Sequence, residues 1–248
     1  MVVGGGGAVE STAASPHPAP PVTPHDAGQG GAVPRLLLVA DGFAAGRAEL
    51  SAETIRQRTL ACVEVGVPWV SLRDHAAPPD VFAEAAEVFA TDLRRDHPAL
   101  AVSVHGRLDV ARAIGSGLHV GQRGASLEEA VAADLAGLVG VSAHSATAAV
   151  RAGRGGADYA TVSPVFRTRT HPDAEPAGID VLRLAAERSG IPVLALGGIT
   201  PPRARIARIV GAHGAAAISG LLFAWDAEAT VRAFLDAVGA GRDGAMEG

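Results

Sequence analysis

A chain of 248 residues, 48% of them hydrophobic, is long enough to bury one large core, and its length is close to the ~250 residues usual for a barrel of eight β/α units. Aromatic residues make up only 4%, so that core must be built from Ala, Val, Leu and Ile. A formal net charge of −5 with dispersed arginines excludes a general nucleic-acid-binding surface, and no apolar run approaches the ~20 residues of a membrane span, so neither nucleic acid nor a membrane is an expected partner.

Residues 1–33 are rich in Gly, Pro, Ala and Ser and hold too little apolar surface to offset ordering, so they are predicted to form a disordered tail. They contain no basic segment ahead of an apolar core, which argues against a signal peptide. His17 and His25 within them read as inert. The single cysteine, Cys62, excludes an intramolecular disulfide framework and fits a cytoplasmic setting; on a predicted helix face, its role is packing.

From there the chain alternates. Arg35–Ala40 is a continuous apolar run ended by Asp41-Gly42, a first buried parallel strand, and Ser51 opens a helix to about Val65. Pro68–Arg73 is the second strand and Pro79–Arg95 its helix; Leu100–Val104 is the third, followed by a short helix over 108–114. Gly117–Val120 is the fourth strand, and Ser126-Leu-Glu-Glu has capping-box spacing for the helix after it. Strand five is Leu138–Ser142 with a helix over Ala146–Arg154, and strand six is Asp158–Val162 with a polar loop over Ser163–Ala177 and a helix over Ile179–Arg188. Strand seven (Pro192–Leu196) precedes a helix over Pro201–Val210, strand eight covers Ala215–Ser219, and Glu228–Val238 closes the series. Eight strand–helix pairs with no segment left over predict a single (β/α)8 barrel, an α/β fold, over residues 34–240, with 241–248 as a flexible C-terminus. A doubly wound open sheet would call for a GxGxxG after the first strand, and none is present.

In such a barrel the chemistry sits at the C-terminal ends of the strands. Those ends carry Arg73 and His75, His105 and Arg107, Gly121-Gln122-Arg123, Ser142 and His144, Ser163 with Thr168, Arg169, Thr170 and His171, then Gly197-Gly198 and Ser219-Gly220. The set is basic and hydroxyl-rich with almost no carboxylates, which suits an anionic substrate and offers no acidic metal cage. Glycine after strands seven and eight, each leading into a helix, is the pattern of a phosphate cradle, against a reading as two tight turns. His144 stands where an imidazole can exchange protons with a substrate in the mouth, against a reading as a surface or capping residue. The same question applies to His75 and His105, whereas alternation along strand four predicts that His119 points elsewhere. A zinc site from His75, His105 and His144 lacks any short ligand spacing. The loop after strand six reads as a lid or a phosphate grip, against a reading as a solvated loop.

Taken together, Gly140–Ser145, Ala157–Tyr159, Ser163–Thr170, Leu196–Thr200 and Ile218–Gly220, with Gly117–Gln122 in support, resemble the thiamin phosphate synthase/TenI family of barrels from about Arg35 to Trp225. The resemblance implies one of two chemistries. The synthase joins hydroxymethylpyrimidine diphosphate to a thiazole phosphate and needs magnesium; the TenI-like tautomerase aromatises a thiazole carboxylate phosphate by a proton shift, without a metal. Thr168, Thr170, Gly198 and Ser219 match the family's thiazole-phosphate half, and His144 matches the tautomerase's acid/base histidine, although synthases carry a histidine there too. The pyrimidine half departs from the pattern. Gln-x-Arg-x-Lys is Ser71-Leu-Arg73-Asp-His75, Asn-Asp is His105-Gly106, and Gly-Gln-x-Asp is Gly121-Gln122-Arg123-Gly124, so glycine stands at both magnesium carboxylates.

The expectation is therefore a thiazole tautomerase with no cofactor. His144 would be catalytic, and the substrate would bind Arg73, Ser142, Thr168, Thr170, Gly197, Gly198, Ser219 and Gly220, with His75, His105 and Gln122 beside it. The alternatives are a magnesium-dependent thiamin phosphate synthase and a non-catalytic thiazole-phosphate-binding regulator. The ligand is a small-molecule thiazole phosphate in every case, and a homo-oligomer is compatible with the chain.

Overall fold

The structure, a computed structural model, describes Met1 and residues 32–47, 49–168 and 175–239. The expected disordered tail (but for its ends), the whole of the flexible C-terminus, and Thr170 with its neighbours Arg169 and His171 lie outside the described residues.

The elements run in chain order as β1 (Leu36–Asp41), α1 (Ala52–Val65), β2 (Trp69–Arg73), α2 (Pro79–Asp96), β3 (Ala101–His105), α3 (Leu108–Ala113), β4 (Gly117–Val120), α4 (Leu127–Ala132), β5 (Val139–Ala143), α5 (Ala146–Arg154), β6 (Tyr159–Val162), α6 (Gly178–Arg188), β7 (Val193–Ala195), α7 (Pro201–Ile209), β8 (Gly214–Ala217), α8 (Ser219–Leu222) and α9 (Ala227–Gly239). All eight strands are parallel and close into a barrel in sequence order, β8 returning to β1 through Leu37↔Ala216 and Leu38↔Ala217. The predicted barrel is present, each strand within two residues of its expected place. The element beyond expectation is the four-residue α8, too short to carry a helical period.

Strands in a parallel barrel are covered on both faces, which is why they read as unbroken apolar runs. One core lies between strands and helices, where Leu36, Leu38, Ala40, Val70, Leu72 and Val104 meet Ile55, Phe82, Phe89 and Phe234. A smaller one fills the barrel itself with Leu37, Val39, Trp69, Tyr159, Leu194 and Ala216. Trp69 and Tyr159 pack edge to face there at 4.6 Å. A chain with few aromatics puts two of them inside the ring, and the alanines of β8 leave space for them. Cys62 is fully buried on α1, where burial pushes its thiol up to about 11, so it serves packing. Among the described residues no helix is long and apolar enough to cross a membrane.

Serine caps set where the helices begin. Ser51 Oγ accepts from the Thr54 amide, and Ser126 and Glu129 form the predicted reciprocal box. Ser145 Oγ accepts from the Ala148 amide and caps α5, which pins the backbone directly after His144. Trp69→Ala should cost about 3–5 kcal/mol of unfolding free energy through the cavity it leaves, and Ser126→Ala only about 1 kcal/mol through the lost cap. Urea denaturation followed by circular dichroism checks both.

Candidate active site

The C-terminal ends of the strands surround a cavity of about 540 Å³, within the range of small-molecule sites. Arg73, His75, His105, Gln122, Ser142, His144, Thr168, Gly197, Gly198, Ser219 and Gly220 all line it. Every expected site residue that is described is thus brought to one cavity. Among the described residues, no aspartate or glutamate lines it.

His144 has a defined tautomer. Its Nδ1 lies 2.6 Å from the Ser163 carbonyl oxygen, an atom that can only accept, so the neutral ring carries its hydrogen on Nδ1 and its lone pair on Nε2. That Nε2 lies 3.5 Å from the Gln122 amide nitrogen, which donates toward it. The exposed imidazole therefore presents a base to the cavity, with the α5 cap holding its backbone.

Arg73 is held from two sides. Its Nε donates to His75 Nε2 at 3.1 Å and lies 3.4 Å from Asp41 Oδ1, while Asp41 Oδ2 takes Arg47 at 2.7 Å. Asp41, which the sequence presents only as a strand terminator, is thus the anchor of the arginine at the mouth. His75 must offer a lone pair to Arg73, and burial together with the Arg73 charge pushes its pKa down, which keeps that lone pair available.

His119 does not point elsewhere. It is directly in register with His105 across the β3–β4 ladder, and residues paired in this way share a face. The correction rests on that pairing: His105 faces the cavity, so His119 does too. The two rings lie 5.1 Å apart, His75 and His105 5.4 Å apart, and Tyr159 continues the column inward. Burial and neighbouring positive charge drive the buried His119 and the half-buried His105 far down, His119 to about 4, so both are neutral at pH 7. Among the described residues no group of three His, Cys, Asp or Glu side chains is placed to hold a metal, and the conceivable histidine zinc site is absent with it.

The glycines after β7 do two jobs. Gly197 and Gly198 take φ of +93° and +64°, which favours glycine, and both line the cavity. They also sit under the β6 loop: a Cβ on Gly197 would come within 2.6 Å of Pro164 Cα, and one on Gly198 would run into the Arg167 carbonyl. The Val165 amide donates to Leu196 O at 2.9 Å, and Arg203 donates to Gly198 O at 2.7 Å. Ser219 and Gly220 form the first turn of α8, where leading N–H groups lack intrahelical acceptors.

The magnesium that the resemblance implies for a synthase does not fit these residues. At the two positions where carboxylates are expected, Gly106 and Gly124 press backbone against backbone: a Cβ on Gly124 would strike the Gly106 carbonyl, and one on Gly106 would come within 3.0 Å of the Arg123 carbonyl. Asp109 and Glu128, the acids nearest in sequence that could compensate, are exposed and do not line the cavity, and two acids at other strand ends are engaged elsewhere. Asp41 holds two arginines, and buried Asp74 accepts from the Ala44, Ala45, Ala76 and Ala77 amides.

The neutral buried histidines tie stability to pH. Their folded pKa values lie below the unfolded ~6.5, so the unfolded chain binds more protons between the two, and stability is whole above ~6.5 and falls as pH drops. Urea unfolding should show a lower free energy at pH 5 than at pH 7, with a shallower pH slope in His105→Asn.

A family model described as thiamine monophosphate synthase matches residues 43–221. Thiamine-phosphate synthase from Chloroflexus aurantiacus is 37% identical over 204 residues, which cover 80% of this chain and 89% of that protein. The thiamine-phosphate synthase of Syntrophomonas wolfei is 36% identical over 202 residues, covering 79% and 92%. Among solved structures, thiamine phosphate pyrophosphorylase from Pyrococcus furiosus superposes with a TM-score of 0.70 at 27% identity, covering 83% of this chain and 95% of that one.

Proposed function

Because this chain belongs to the thiamine monophosphate synthase family, we propose that it is an enzyme of thiamin biosynthesis that acts on a thiazole phosphate held in the barrel mouth. Two reactions compete for that site. The names of the relatives support the condensation of a thiazole phosphate with a pyrimidine diphosphate, and support it better than the tautomerase expected from the sequence. The geometry favours the proton shift. The observation that carries this reading is the closed Gly106–Gly124 contact in a mouth whose described lining holds no carboxylate. A diphosphate leaving group needs its developing charge neutralised, and a site without acidic ligands has little hold on the cation that does so.

The proton shift asks only for groups that are present. Gly197, Gly198, Ser219 and Gly220 receive the phosphate, and Arg73, held by Asp41 and His75, faces the substrate carboxylate. The lone pair on His144 Nε2 takes the ring C–H proton. The electron pair left behind moves into the ring as the exocyclic double bond shifts inward, and the exocyclic carbon takes a proton back from the imidazolium. The thiazole becomes aromatic with no net change in protons or electrons, and no cofactor is required.

Proton NMR of the purified protein with thiazole carboxylate phosphate and a chelator measures aromatisation. Coupled turnover with both synthase substrates and magnesium measures condensation. We expect the first without the second, and His144→Gln should lower the aromatisation rate at least about 10²-fold. Condensation at an enzymatic rate would establish the second reading instead, and binding of thiazole phosphate with neither turnover would leave a regulator.

A further inference from the structure

His119 is one of the few polar side chains buried in the barrel, and neither ring nitrogen is left over. Nδ1 lies 2.9 Å from the Tyr159 hydroxyl and Nε2 lies 2.9 Å from Ser142 Oγ. The register explains how β4 reaches β6 across β5. His119 pairs with Gly140, and Gly140 pairs with Tyr159, so the three residues stand in one row on the inner face. A Cβ on Gly140 would run into the Tyr159 ring, which lies over that glycine and is braced from the other side by Trp69. Ser142, two residues further along β5 on the same face, is where the chain of hydrogen bonds enters the cavity.

We infer that His119 and Tyr159 are positioning residues that orient the Ser142 hydroxyl as a hydrogen-bond donor to bound substrate. The direction of each bond is set by the chemistry. Burial pushes the Tyr159 hydroxyl far above its ordinary range, so it stays protonated. Ser103 also stands beside that hydroxyl, and of the two a neutral imidazole nitrogen is the better acceptor of the phenol proton, which places the ring hydrogen of His119 on Nε2. Nε2–H then donates to Ser142 Oγ, and the serine's own hydrogen is left to point into the cavity, where an oxygen of an anionic substrate accepts it. Without the phenol, His119 is free to take the other tautomer, and Ser142 then turns its hydrogen inward to Nε2. Ser142 and His144 sit two residues apart on one strand end, so the donor and the base face the same substrate.

The inference rests on the mouth being a substrate site, and two measurements separate its failure from the failure of that reading. The first needs no substrate: nitrogen-15 imidazole shifts of the wild-type protein should place the His119 hydrogen on Nε2, and a hydrogen on Nδ1 would overturn the relay. The second is a double-mutant cycle of Ser142→Ala and Tyr159→Phe, read as kcat and KM for aromatisation or, if turnover is absent, as calorimetric affinity for thiazole phosphate. Each single variant should lose about tenfold, the scale of one hydrogen bond, and Tyr159→Phe should cost nothing further once Ser142 is alanine. Losses that multiply, or wild-type behaviour of Tyr159→Phe, would refute the positioning role, because a merely structural tyrosine acts independently of Ser142.

Discussion

Pairing of β8 with β1 turns eight strand–helix units into one object, and everything at the mouth depends on that closure. Because every strand is parallel, closing the ring puts eight C-terminal ends on one rim, and residues from Leu37 to Gly220 come to line a single cavity. The interior must then be filled, and it is filled unevenly. β8 contributes glycine and alanine, and β2 and β6 contribute Trp69 and Tyr159. That asymmetry supports the row of rings running from the packed interior to the solvent-facing rim, His75 at its outer end.

Charge at the rim is arranged so that cations face the cavity and anions stay behind them. Asp41 and Asp74 both lie at strand ends, yet one orients arginines and the other satisfies backbone amides of two loops. The imidazoles between them remain neutral through burial, so they shape the wall and orient neighbours without adding charge. The cavity therefore offers glycine backbone and hydroxyls together with arginine, and an exposed histidine stands at its edge.

The fold was legible because buried parallel strands write themselves as apolar runs, and because Ser51 and Ser126 mark helix starts with side chains that have few other reasons to be there. The ring of site residues was legible for the same reason, since each of them stands at or just beyond the end of a recognisable strand. What the sequence hides is lateral. The side to which His119 points depends on its register with His105, and its bond to Tyr159 depends on a bare Gly140 on the strand between. Asp41 reads as the end of a strand until Arg47 and Arg73 fold back onto it. A helix of four residues, α8, has no period to detect.

The contact between Gly106 and Gly124 also bears on which residues these two loops can hold. The loops after β3 and β4 meet at the two positions where the family's carboxylates would stand, and Gly106 takes a φ of +72°. A side chain at 124 would strike the Gly106 carbonyl, whereas one at 106 would need a left-handed backbone and a small shift of the Arg123 carbonyl. The two loops therefore constrain each other's sequence: what can stand at 124 is set by where residue 106 places its carbonyl.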